Sequence, residues 1–152
     1  MDSWALRLPL IGNLTRKGLV SRFAMSFGAL LRTGVPALEA LETLAALTPN
    51  ALFASEIAAI RQDVSEGRDI SRRMHTSRVF PPMVGYMVAV GERSGNLADV
   101  LEHLGEVYDS EVEIEARRAL AVLEPALVLV MAAVVGFIAM SLMVTILELS
   151  HI

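Results

Sequence analysis

The stretch ALVLVMAAVVGFIAMSLMVTIL, from Ala126 to Leu147, is 22 residues without a charge, and it follows 125 residues in which charges are frequent. At about 1.5 Å per residue, a helix of that length reaches roughly 33 Å, enough to cross the hydrocarbon core of a bilayer. The competing reading is a buried core helix, but so long an uncharged run rarely hides inside a small soluble domain. The chain is therefore read as a folded domain held on a membrane by a C-terminal anchor. Within the anchor, Ala132 and Gly136 form a small-xxx-small pair that permits close helix approach, a pattern common by chance in alanine-rich segments.

Composition narrows the rest. The chain carries 13 basic and 17 acidic residues, a net charge of −4, which argues against a nucleic-acid binder. It has no cysteine, so disulfides and thiolate metal sites are excluded. His75, His103 and His151 are scattered and make no metal pair. Arg117 and Arg118 precede the anchor, and only Glu148 and His151 follow it. The positive-inside rule then predicts a cytoplasmic N-terminal part and a short tail across the membrane. The first residues, MDSWALRLPLIGNLTRKGL, lack the long apolar core of a signal peptide.

Upstream of the anchor the periodicity is helical. Val20, Phe23, Ala24, Phe27, Leu30 and Leu31 form one stripe, stopped by Gly34, and Pro36 suits the first turn of the next helix. Leu38, Leu41 and Leu44 or Ala45 carry a second stripe, ending near Thr48-Pro49-Asn50. Phe53, Ile57, Ile60 and Val64 mark a third helix, closed by Gly67. Asp69 is expected to cap a short fourth, Ile70 to His75. Pro81 and Pro82 open a fifth with Met83, Val84, Met87 and Val88, broken at Gly95. Asn96 caps a sixth, with Asp99 close to a capping-box position. No breaker follows until Pro125, the place for a kink. The prediction is an all-α protein: a six-helix bundle whose last helix continues into a C-terminal transmembrane helix. Its organisation is a linker segment over 1–17, a cytoplasmic bundle and stalk over 18–124, a transmembrane helix over 125–147 and a short periplasmic tail over 148–152.

No enzyme motif is present: no P-loop, no HExxH, no GxSxG and no Rossmann fingerprint. Gly91-Glu92-Arg93-Ser94-Gly95 is the densest polar patch between apolar runs. It reads either as helix termination, with Gly95 left-handed and Glu92 and Ser94 bonding nearby backbone, or as a specific binding contact. Asp99, Glu102, Glu106, Asp109 and Glu113 fall within about 80° on a helical wheel. They form a solvated face, a docking strip for a basic partner, or part of a calcium site that would need a second element to complete its oxygens. Glu111, Glu115 and Arg118 lie instead on the apolar side, with Leu97, Leu104 and Tyr108. Either the helix has left its own domain there, or the carboxylates meet cations from another element. The first is the expectation, making these three a stalk interface with another chain or helix.

Taken together, several motifs resemble the type II secretion system F family. They are Leu8-Pro9-Leu10-Ile11-Gly12 before a basic helix, Arg22-Phe23, Thr33-Gly34-Val35-Pro36, Phe80-Pro81-Pro82, Gly91-Glu92-x-Ser94-Gly95-x-Leu97, and Leu123-Glu124-Pro125 at the membrane. Their order and spacing cover nearly the whole chain. The resemblance implies a non-enzymatic platform protein in the bacterial inner membrane. Such a protein works without a cofactor, as a homo-oligomer in contact with lipid, and couples a cytoplasmic assembly ATPase to pseudopilins of a type II secretion system. A type IV or tight-adherence pilus platform is the alternative, and a membrane-tethered enzyme ranks last. Family members hold two copies of the bundle and three spans. This chain matches the second copy and one span, and is expected to be a piece of a longer protein or a split gene product. No metal is assigned, because no ligand set matches residue by residue.

Overall fold

A computed structural model describes residues 9–149. Among these the secondary structure is helical throughout: α1 (Pro9–Arg32), α2 (Ala37–Leu47), α3 (Ala51–Ser65), α4 (Ile70–Thr76), α5 (Pro82–Ser94) and α6 (Leu97–Leu149). The chain forms two compact units that divide between Glu113 and Ile114. The first contains α1 to α5 and the opening turns of α6; the second is the remainder of α6. The first eight residues of the expected linker and the last three of the expected tail lie outside the described residues.

Helix ends in the first unit follow from backbone chemistry. Glycine readily adopts positive φ, and α1, α3 and α5 each stop at such a residue: Gly34 at 86°, Gly67 at 78° and Gly95 at 71°. All three ends close in the same way, with a 6→1 backbone bond that satisfies an orphan carbonyl: Val35 to Leu30, Arg68 to Asp63 and Asn96 to Gly91. Prolines start the following helices. Pro36 stands immediately before α2, one residue earlier than expected, and Pro81 and Pro82 take the cap and first positions of α5. The Asn50 side chain caps α3 by accepting from Phe53 N–H at 3.0 Å.

The core is built on α1. Phe23 lies 5.5 Å from Phe27, 6.0 Å from Phe53 and 5.4 Å from Phe80, measured between ring centroids, in tilted or edge-on geometry. Leu41, Ile57, Ile60, Met74, Val84, Val88 and Leu101 close around them, and Tyr108 is the last residue of α6 in this core. Two stripe assignments shift. Leu38 is exposed, and α2 buries Ala40, Leu41 and Leu44 instead. Met83 is exposed, and α5 buries Val84, Gly85, Val88 and Gly91. The reason is that glycine carries no weight in a hydrophobic count, yet it is what lets a neighbouring helix come close.

That closeness governs how α1 meets α6. A Cβ on Gly28 would lie 2.8 Å from Glu102 Cγ and 2.9 Å from the Ala98 carbonyl oxygen. One on Gly105 would collide with the Met25 side chain and come within 3.0 Å of its backbone nitrogen. With both Cβ atoms absent, the buried Ser21 hydroxyl donates to the Gly105 carbonyl oxygen at 2.9 Å.

The helix α1 begins at Pro9, so residues 9–17, assigned to a linker, are helical. Their fit against the bundle, with Gly12 buried, explains the difference: tertiary contact carries the helix past the point where its apolar stripe thins.

In the second unit, the helix continues through Pro125. None of its most apolar stretch is buried against protein, and Phe137, Met140 and Leu129 are among its most exposed side chains. This is not how a helix in the core of its own chain is placed. Among the described residues one helix is long and apolar enough to cross a membrane, and the face at Gly136 is open.

Gly28→Ala should destabilise the first unit by about 1–3 kcal/mol, because the added methyl meets a backbone carbonyl that cannot rotate away. Gly18→Ala, whose methyl meets nothing within 4 Å, should leave stability unchanged or raise it by up to about 1 kcal/mol. Thermal melting of the detergent-solubilised chain by circular dichroism at 222 nm checks both. Equal midpoints for the two variants would refute the close-packing account.

Candidate partner surfaces

The corner between α5 and α6 holds the polar motif singled out in the sequence. Three donors converge on the Gly91 carbonyl oxygen: the backbone N–H groups of Gly95 and Asn96, and the Ser94 hydroxyl at 3.3 Å. Gly91 itself lets α6 start close by, since a Cβ there would stand 3.1 Å from Leu97 Cα. Gly91, Ser94, Gly95 and Leu97 thus form one compact corner, as helix termination requires.

Glu92 acts elsewhere. Its carboxylate accepts the Ile70 N–H at 2.7 Å and the Ser71 N–H at 3.1 Å, capping α4 from a residue 22 positions later in the chain. Asp69, expected to cap that helix, makes no side-chain cap bond. A carboxylate at a helix N-terminus gains from both orphan donors and helix dipole. A helix of seven residues has little stability of its own. Glu92 is therefore tied to structure in a place the local sequence does not indicate.

The acidic face of α6 is divided. Arg32, at the end of α1, pairs with Asp99 at 2.7 Å and with Glu102 at 2.5 Å. These two acids, assigned to a partner strip, are engaged within the bundle, because the α1–α6 approach at Gly28 carries Arg32 to them. Glu106 lies 4.0 Å from His103, one turn back on the same helix. Asp109 and Glu113 are exposed, and Glu113 is also engaged by a neighbouring group. Among the described residues, no group of three or more His, Cys, Asp or Glu is placed to hold a metal ion.

The stalk expectation fails for Glu111. Lys17, largely buried on α1, meets its carboxylate at 2.7 Å. Reading residues 1–17 as linker hid this partner; once α1 starts at Pro9, the cation stands on the bundle. Burial, together with the Glu111 charge, pushes the Tyr108 phenol above its ordinary pKa, against the opposing pull of Lys17 and Arg16. Glu115 is partly buried and engaged, and Arg118 is exposed; both belong to the second unit. Glu124 and Pro125 are exposed within α6. Sequence reading missed Gly28, Gly85 and Gly105 as contact residues. Gly85 faces His75, whose ring lies 4.6 Å from that of Tyr86. Their position on the buried side of a helical wheel was the available signal.

Glu92→Ala should cost about 2 kcal/mol, since two backbone donors lose a charged acceptor. Glu92→Gln should fall between it and the native chain. Asp69→Ala should change stability by less than about 0.5 kcal/mol. Chemical denaturation of the three variants checks the order, and an Asp69→Ala effect as large as that of Glu92→Ala would reverse the assignment.

Residues 23–145 match the family model described as Type II secretion system (T2SS), protein F. The type IV pilus assembly protein PilC of Pseudomonas aeruginosa is 31% identical over 152 residues, covering 100% of this chain and 41% of that protein. Type II secretion system protein F of Aeromonas hydrophila is 38% identical over 146 residues, covering 96% of this chain and 38% of its own length. Its counterpart in Pseudomonas aeruginosa is 33% identical over 147 residues, covering 97% and 36%. The chain spans about two-fifths of the length of these relatives. The matched residues run from the aromatic core at Phe23 to the far end of the uncharged helix, and on that extent the chain belongs to the type II secretion system protein F family.

Proposed function

We propose that this chain serves as a non-enzymatic platform in the bacterial inner membrane, with its bundle in the cytoplasm. There it couples an assembly ATPase to the building of pseudopilins in a type II secretion system. The observation that carries the reading is the family match, which takes in the bundle and the uncharged helix together. Arg117 and Arg118 before the uncharged run, with no Lys or Arg after it, support the cytoplasmic placement. Glu92 and the Gly91–Gly95 corner hydrogen-bond to backbone at helix ends, which supports the reading of a scaffold. Glu106, Asp109 and Glu113 are proposed as the contact for a basic partner, and Glu115 with Arg118 as a contact between subunits in the membrane-proximal helix.

A pilus platform is the second reading, favoured by the PilC relative that aligns over the whole chain. Deleting the gene in its host and restoring it separates the two. Loss of exported protein from the medium, with its retention in the periplasm and with pili intact, is the expected result. Loss of pili with export intact would transfer the chain to pilus assembly. Protease added to intact spheroplasts should leave the bundle uncut, and digestion from outside would overturn the topology.

A further inference from the structure

Two cavities of about 490 and 200 Å³ open beside α1 and share Leu19 and Phe53 in their walls. They lie side by side as a groove along α1, which faces the α2–α3 connection across them, with Arg78 and Val79 of the α4–α5 connection at the first. The residues that α1 contributes include Gly12, Arg16, Leu19, Phe23 and Ser26. With Asn13 and Arg22, which line it too, they recur at i, i+3 and i+4 and so make one continuous seam along the helix, the kind of face a second helix packs on. From Gly12 to Ser26 this seam runs about 21 Å, four turns of helix. Leu44, Leu47, Leu52 and Phe53 supply apolar surface among the polar Thr48 and Asn50, and Leu47 and Leu52 are 74% and 58% exposed.

The charge at the groove has one sign. Arg16, Arg22 and Arg78 line it, and among the described residues no carboxylate does, although the chain as a whole is acidic. Neither Arg22 nor Arg78 has an acidic side-chain partner among the described residues. The Arg16 Nε is buried without a hydrogen-bond partner among them, while its terminal nitrogen reaches the Arg78 carbonyl oxygen at 3.4 Å. The exposed guanidinium groups of Arg22 and Arg78 are the ones an incoming carboxylate can reach.

We propose that the groove along α1 docks an amphipathic acidic helix of a partner protein, with its apolar face on Leu19, Leu47, Leu52 and Phe53 and its carboxylates on Arg16, Arg22 and Arg78. The seam spacing selects a helix. The described residues contain no strand edge to which an extended peptide could add. The three arginines select its charge. This docking does not depend on the secretory role proposed above, and it is tested without reference to export.

The probe is a synthetic helix of about 18 residues, roughly 27 Å long, with Leu at the a and d heptad positions and Glu at e and g. A control peptide carries Lys in place of every Glu. Each is labelled with fluorescein and titrated, by anisotropy, into the full chain held in phosphatidylcholine nanodiscs. The acidic peptide should bind saturably, weaken as salt rises, and bind at least about tenfold tighter than its Lys counterpart. The double variant Arg22→Glu/Arg78→Glu should lose about tenfold or more of that binding and gain affinity for the Lys peptide. Both arginines are exposed, so the fold should survive, which melting by circular dichroism verifies. Leu52→Gln supplies a second, uncharged change that should also weaken binding.

Equal binding of the two peptides, or unchanged binding by a folded double variant and by Leu52→Gln, would overturn the proposal. So would failure of the acidic peptide to bind while phosphatidylglycerol nanodiscs alone shield Arg22 and Arg78 from phenylglyoxal, since the groove would then be a lipid contact. Self-association of the chain that the double variant abolishes, with no peptide binding, would assign the groove to a second copy and likewise overturn it.

Discussion

The bundle depends on how closely α1 can approach α6. Gly28 and Gly105 face the opposing helix with no Cβ to hold it off, and the Ser21 hydroxyl spans the gap to the Gly105 carbonyl. Dispersion falls steeply with separation, so a close crossing gains contacts along its whole length. Everything else on α1 is placed by that crossing. Phe23 and Phe27 are held where Phe53 and Phe80 can meet Phe23. Arg32 is brought to Asp99 and Glu102, and Lys17 to Glu111, so that the two ends of the crossing carry ion pairs and its middle carries glycine.

The same crossing distributes charge. Acids on α6 that would form one continuous face are partly taken up by the cations of α1. Arg32 is more than half exposed, so its pairs contribute little to stability. Their effect is on recognition, because they leave the remaining acids farther along the helix. On the other side of α1 no carboxylate among the described residues answers Arg22 and Arg78, and the molecule presents a cationic groove within an acidic chain. Separate basic and acidic faces on one scaffold are in keeping with the platform role proposed above.

Glu92 shows how a motif can mislead by position. It lies in a run of glycine and serine that ends a helix, and residues around it do perform that termination. Its own carboxylate turns to the first two N–H groups of α4, which the chain passed 22 and 21 residues earlier. A conventional cap candidate, Asp69, stands beside those donors and leaves them to it. Satisfying orphan N–H groups is obligatory once they are partly buried, but which side chain does so is settled by the packing of α5 on α4.

Local chemistry alone determined the six helices and nearly all of their ends. Gly34, Gly67 and Gly95 can end a helix because glycine takes positive φ without a steric cost, and the prolines near the next helix starts suit them because their φ is already set. It also determined the long exposed apolar helix, since 22 uncharged residues outrun any core this bundle has. Tertiary structure decided what local periodicity does not encode. The helical start at Pro9 needs the bundle to pack against, and the pairing of Lys17 with Glu111 follows from it. The burial of Ala40 and Gly85 in place of Leu38 and Met83 reflects close approach, which rewards a missing side chain where a hydrophobic count rewards a large one. Helix ends are set by the dihedral preferences of one residue, whereas partners are set by distances between helices that no single residue controls.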